Sequence, residues 1–378
     1  MWSDVFLALR KGRGTALTYA IGLVLICSML MAGGAGLILG SVKGGSVHLA
    51  RSQAENVARG GFRDAMMWFR KNETQPVISF EPGGGASEEP EIGLVKSSPV
   101  SAHKGIWGRY EVAHAAVRDI TSERGREGKG LIWEVQSVGY VYKKVDSEKR
   151  FDELPNKVIA RITMIGEITR MGLTVPRSAI ASYRAKQITV GGKTRVEGGE
   201  AGSGEAGLTY QANTGKTNVH GDVDGDPPQS KVNNLDIEPT AVFGVSLEEL
   251  KGMADYVGED VVDIPSPMPE MSFTYIDGNA NFSEDYPLSG GGLLVVDGNM
   301  TIPANTASEF LGVIYVTGEF SASAPLVVSG ALVVRGSVSL TGGSGEFRIE
   351  YNAEVIEAVK QAITQYRESK TVHIPNRG

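Results

Sequence analysis

The sequence has a single cysteine, Cys27, in 378 residues. A lone cysteine excludes an internal disulfide framework and any cysteine-based zinc site. An excess of positive charge is also missing: 37 Lys+Arg stand against 44 Asp+Glu, a formal net charge of -7. A general nucleic-acid binder needs a basic face, so nucleic acid is excluded as a partner. The histidines (His48, His103, His114, His220, His373) are scattered without metal-ligand spacing. A P-loop and a nucleophile elbow are both absent, because GGASEE and GGSGEF lack the flanking Lys or Ser those motifs need. The expectation is a protein that is not an enzyme.

Glycine, by contrast, is plentiful at 49 residues, nearly double the usual ~7%. No three-residue period runs through it, so the chain is not collagen. A turn-rich β array or a repeat fold remains.

From Thr15 to Val42 the chain carries no charged residue, and about 20 apolar residues suffice to cross a bilayer as a helix. The run is too long for a secretory h-region, and no A-x-A site follows it. Arg10, Lys11 and Arg13 precede it closely, which orients the N-terminus to the cytoplasm. The expected localisation is the bacterial inner membrane, single-pass, with the ectodomain in the periplasm or outside the cell in an assembled pilus. Beyond the run, Ala50, Ala54, Val57, Ala58, Gly61, Ala65 and Trp68 recur at helical spacing, with Arg51, Glu55, Arg59 and Arg63 on other faces. That pattern predicts one continuous helix through residue 70 with an amphipathic second half.

Two pieces of this region carry a family resemblance. Met1 to Gly14, ending Lys11-Gly12-Arg13-Gly14 directly before the apolar run, is similar to the leader of type IV prepilins. The segment AENVARGGFRDAMMWFR at 54–70 resembles the stalk of PilX-like minor pilins and the related K-type pseudopilins of type II secretion. The resemblance implies cleavage by a prepilin peptidase between Gly14 and Thr15, with Lys11 and Arg13 as leader charges. It also implies packing with other pilins or pseudopilins through the helix. Tyr19 stands where major pilins carry a glutamate. A subunit without that carboxylate suits a filament end better than a shaft, although Tyr19 also fits as a plain apolar-helix residue.

Downstream, residues 81–101 read as loop, and strands are expected near 107–117, 131–142 and 157–166. WEVQSVGY at 133–140 resembles the Tyr-x-Val/Ile-x-Ser-x-Gly strand of the same family. LLVVDG at 293–298, VIYVTG at 313–318 and ALVVRG at 331–336 then repeat at offsets near 20 residues, each preceded by a glycine. A strand, a glycine corner and a second strand at that period predict a β-solenoid. QITVGG near 187 and the stretch 208–226 read as weaker coils. A proline-bearing insertion spans about 227–285, and its SLEELKGMADYVG has Ser246 and Glu249 placed for a capping box. The segment 352–368 is patterned as an amphipathic helix that would cap the open end of the solenoid.

The expected fold class is thus an α+β pilin-like N-terminal part, with a long N-terminal transmembrane helix and an antiparallel sheet. An all-β parallel solenoid or β-helix with a C-terminal capping helix follows. The domains read as a leader 1–14, a transmembrane half-helix 15–42, an amphipathic half 43–72, a head 73–170, a solenoid 171–350 and a cap with tail 351–378. Asp222, Asp224 and Asp226 alternate as in the start of a calcium loop, but Pro227 and Asn233 occupy the EF-hand glycine and glutamate positions. A calcium site and an ordinary solenoid corner both stay open, and no other cofactor is expected. Asp297, Thr317 and Arg335 precede the corner glycines and read as solvated. The functional expectation is a minor pilin or pseudopilin-like subunit that initiates assembly or sits at the tip, its solenoid free to meet a surface or glycan. A membrane-anchored scaffold or adhesin is the alternative, and a tethered polysaccharide enzyme the more remote one.

Overall fold

The computed structural model describes residues 45–82, 91–101, 105–213, 215–323 and 325–373. Its first element is the helix 45–71. Ala50, Ala54, Ala58, Phe62, Ala65 and Phe69 recur every three or four residues along it and are all buried, while Arg51, Arg59 and Arg63 face solvent. Small residues on one stripe let the helix lie close on a sheet. That sheet is antiparallel and comprises β1 (Ile92–Ser101), β2 (Ile106–Ala113), β3 (Val117–Asp119), β4 (Ile132–Lys143), β5 (Lys157–Arg170) and the C-terminal strand Tyr366–His373. Its order is β1-β2-β4-β5 followed by the C-terminal strand, with β3 beside β4. β1 lies in a stretch expected as loop. It is an edge strand with no fully buried side chain, so backbone pairing to β2 forms it and no apolar period announces it.

The rest of the chain coils. Strands Met268–Ile276, Ser289–Val296, Ser308–Val316 and Leu326–Val334 pair in parallel, residue for residue except for a register shift between Met268 and Ser272. A second parallel sheet stacks Ala280–Asn281, Met300–Ile302, Phe320–Ser323 and Val338–Thr341. The two sheets share one interior, to which Leu294, Val296, Ile314, Val316, Leu332 and Val334 contribute from one side and Met300, Phe320, Val338 and Leu340 from the other.

Why the long strands read LLVV and VIYV, rather than alternating, is clear from the other face. Leu293, Val295, Val313, Tyr315 and Val333 form a second core with Val242, Phe243, Leu250 and Met253, and with Ile356, Val359 and Ile363. A strand buried on both faces needs apolar residues at successive positions. The covering helices are Pro239–Val242, Leu247–Met253 and Ala353–Ile363. Leu247–Met253 begins with the expected capping box: Ser246 accepts from the Glu249 amide and the Glu249 carboxylate reaches back to the Ser246 amide.

The coils are not stacked in chain order. The chain enters in the middle of the solenoid at Ser178–Ser182 and Gln187–Val190, and coils outward through Asp222–Asp224 and Gln229–Val232. It then crosses by the two short helices to the opposite end at Tyr256–Gly258 and coils back. The last coil closes onto the first: Leu332 pairs with Ile180 and Val338 with Ile188.

These observations correct the expected fold class. Strands dominate the described residues, and their longest helix, 45–71, carries too many charges to be an apolar span. Ala353–Ile363 does not cap the open end. It lies flat on the outer face of the long-stranded sheet, because its buried stripe of Ile356, Val359 and Ile363 matches the apolar outer face there. The expected helix also stops early, and residues 366–368 begin the strand that returns to the antiparallel sheet. The single-pass inner-membrane localisation, with its periplasmic ectodomain, is corrected as well. Among the described residues no helix is long and apolar enough to cross a membrane, and the apolar run 15–42 lies outside them.

Candidate functional site

The helix 45–71 and its seat on β2 and β4 form the first candidate surface. β4 turns Val135, Ser137, Gly139 and Val141 inward at alternate positions. Where the helix crosses, both partners are small. A Cβ on Gly139 would overlap the carbonyl oxygen of Ala54 and lie 2.5 Å from the amide nitrogen of Ala58. A Cβ on Gly61 would overlap the Ser137 hydroxyl and lie 2.8 Å from the Tyr110 ring. The helix therefore rests on the strand backbone itself. Tyr110 donates its hydroxyl to the Asp64 carboxylate of the helix. Burial first, and that carboxylate second, raise the phenol's pKa above its ordinary value. Residues 45–49 are all exposed, with Val47 at 54% and Leu49 at 60%, so the first turn of the helix projects past the sheet.

The second candidate is the column of corner positions on the long-stranded sheet. Register places Asp277, Asp297, Thr317 and Arg335 one above another, since Ile276, Val296, Val316 and Val334 align just before them. Asp297 accepts hydrogen bonds from the Tyr275 hydroxyl at 3.0 Å and the Thr317 hydroxyl at 3.0 Å. Arg335 pairs with Glu238 at 2.5 Å, and Lys251 pairs with Asp277. Tyr315 donates to the Ile237 carbonyl at 2.9 Å, and burial pushes its hydroxyl pKa up. These corner groups are thus not merely solvated. Asp277, Arg335 and Tyr315 hold the segment 237–251 onto the sheet, whereas Asp297 ties neighbouring coils to one another through Tyr275 and Thr317.

The calcium candidates take separate tasks. Asp222 and Asp224 lie on the end strand Asp222–Asp224 with exposed side chains, Asp222 at 4.0 Å from Arg195. Asp226 accepts from the amides of Gly202 at 2.8 Å and Gly204 at 3.3 Å. Among the described residues, no group of three or more His, Cys, Asp or Glu side chains is arranged to hold a metal ion. Lys11, Arg13, Gly14, Thr15 and Tyr19 lie outside the described residues.

Two features were missed in the sequence. The coil Met268–Asn281 falls within the stretch expected as insertion, although its Asp277-Gly278-Asn279 repeats as Asp297-Gly298-Asn299. The repeat has a structural use: the Asn279 side chain accepts from the Asn299 amide and Asn299 from the Glu319 amide, both at 2.8 Å. The other is Tyr366, whose strand is separated from its neighbour β5 by the whole solenoid.

No protein-family model matches the chain, and no curated protein matches it. Among solved structures it is similar to the competence-associated pilin ComZ from Thermus thermophilus, with 10% identity over 87% of this chain and 97% of that one, and a TM-score of 0.23. A TM-score that low carries no argument for fold or role.

Proposed function

We propose that the chain is a pilin-like structural subunit of a type IV pilus or a type II secretion-like filament, a minor one that helps initiate assembly or sits at the tip. One observation carries the reading: a helix seated by a small-residue stripe on an antiparallel sheet, with its first described turn projecting past that sheet. Such a helix offers side chains such as Val47 and Leu49 to neighbouring subunits. The PilX-like segment 54–70 supports the same reading from sequence, and the bulk of the solenoid favours a filament end, where nothing must stack above it. The partners on this reading are a prepilin peptidase and other pilins, and the role is not enzymatic.

The test is the intact mass of the mature chain after co-expression with a prepilin peptidase. Loss of Met1–Gly14, leaving Thr15, is the expected result. A retained leader beside an active peptidase would overturn it and favour a scaffold or adhesin outside any filament.

A further inference from the structure

Residues 252–334 contain no Lys, Arg or His and eleven Asp or Glu. The remainder of the chain holds 37 cations against 33 acids, so the net charge of -7 hides a segregation. The fold gathers the acidic stretch into consecutive coils, from Tyr256–Gly258 to Leu326–Val334. Of its eleven carboxylates, only Asp255 and Asp277 have an ion-pair partner among the described residues, Arg367 and Lys251.

The end of this acidic half is an unpartnered sheet edge. Tyr256–Gly258 pairs with Met268–Ile276 on one side, and among the described residues no strand pairs with its other side. The Asp255 amide donates inward to the Phe273 carbonyl at 2.8 Å. The Gly258 carbonyl likewise accepts the Asp277 amide at 2.8 Å, so Tyr256 and Gly258 turn their backbone groups inward, and Val257, between them, turns its amide and carbonyl to the open edge. Apolar side chains stand exposed around it: Tyr256 at 37%, Val257 at 45%, Val262 at 54% and Tyr286 at 41%. Glu259, Asp260, Glu284 and Asp285 are exposed beside them. An open edge is a template for an added strand. Here its apolar centre is rimmed by charge of one sign, which selects the partner by complementarity.

We propose that this end of the solenoid docks a basic protein partner, which adds an extended segment of alternating cationic and apolar residues to the Tyr256–Gly258 edge. The proposal goes beyond the filament reading and does not depend on it. Apolar side chains of the segment would meet Tyr256 and Val262, and its cations the surrounding carboxylates.

The test uses the full chain and a fluorescent ten-residue peptide of alternating Lys and Val, with the Glu/Val peptide as control, read by anisotropy. The Lys/Val peptide should bind and the Glu/Val peptide should not. Binding should weaken at least tenfold between 50 and 300 mM NaCl, about the effect of shortening the Debye length at a multiply charged contact. Tyr256→Ala with Val257→Ala should weaken it at least tenfold. Lys216→Glu with Lys231→Glu, at the opposite end, should not weaken it. Where the edge variant does not fold, Glu284→Lys with Asp285→Lys in the exposed turn takes its place, with the same expected loss. Absence of binding, or binding that both variants leave unchanged, overturns the proposal. So does self-association of the chain, seen by sedimentation, that is lost with Tyr256→Ala, because the occupant would then be a second copy.

Discussion

The hydroxyl of Tyr366 donates to the carbonyl of Gly130 at 2.5 Å and accepts the amide of Val77 at 2.9 Å. Tyr366 is fully buried and its ring lies 5.1 Å from that of Phe69. One side chain thus joins the C-terminal strand, the turn before β4 and the segment after the helix 45–71. The helix adds a further tie, since Arg70 donates to the Tyr366 carbonyl at 2.6 Å.

Tyr366→Phe leaves the buried Val77 amide without its partner, while the Gly130 carbonyl keeps the Trp133 indole N–H at 3.1 Å. An unsatisfied buried group costs about 1–3 kcal/mol, so the head should lose roughly that much stability. Chemical denaturation followed by tryptophan fluorescence reads it, because Trp68 and Trp133 belong to the same core.

Adjacent glycines in the helix should respond oppositely to alanine. A Cβ on Gly60 meets nothing within 4 Å, so Gly60→Ala should stabilise by up to about 1 kcal/mol through helix propensity. Gly61→Ala drives a methyl into Ser137 and Tyr110 and should cost about 1–3 kcal/mol, as overpacking does. Equal midpoints for the two variants would count against the seating of this helix on β2 and β4.

Gly330→Ala probes the solenoid. Gly292, Gly312 and Gly330 stack in register, and Gly330 has φ +141 with its Cβ position 2.7 Å from the Gly312 carbonyl carbon. The substitution is strained in backbone and in space, so about 3 kcal/mol or more should be lost. The expected outcome is a lower melting temperature with loss of the parallel-sheet signal. An unchanged transition would mean that the coils do not stack there.

Asp119 supplies a pH dependence. Burial alone would raise its pKa. The Thr121 hydroxyl and the amides of Thr121 and Gly130 donate to it, and they hold it below the usual carboxylate value. A folded pKa below the unfolded one means stability that is present above about pH 4 and lost as pH falls through the folded value. The free energy of unfolding should therefore fall below about pH 4, and fall less steeply in Asp119→Asn. Parallel pH profiles for the two proteins would refute the assignment.

Much of the architecture was written in local pattern. The small-residue stripe from Ala50 to Ala65 gave a helix, WEVQSVGY gave β4, and the glycine-led repeats at 292, 312 and 330 gave stacked parallel strands, because each depends on neighbours a few residues apart. The acidic composition of 252–334 was equally legible, but only the fold showed that it is gathered at one end beside an open edge. Other elements left no such trace. β1 forms by pairing with β2 while none of its side chains is fully buried, so no apolar period marks it. Ala353–Ile363 has a clear apolar stripe, yet a stripe does not say which surface it will cover.

What the sequence by itself determined is the type of element at each periodic stretch: helix at 45–71, strand and glycine corner through the coils, capped turns at Ser246 and Asn352. These are decided by backbone preference and by burial within one or two turns of chain. Only the tertiary structure decided that the last coil closes on the first, that the strand Tyr366–His373 returns to the antiparallel sheet, and that Arg335 and Asp277 clamp the segment 237–251 onto the solenoid. Each of those joins residues far apart in sequence. Their pairing is set by which exposed edges and apolar faces remain when the local elements have formed, and no local pattern encodes that remainder.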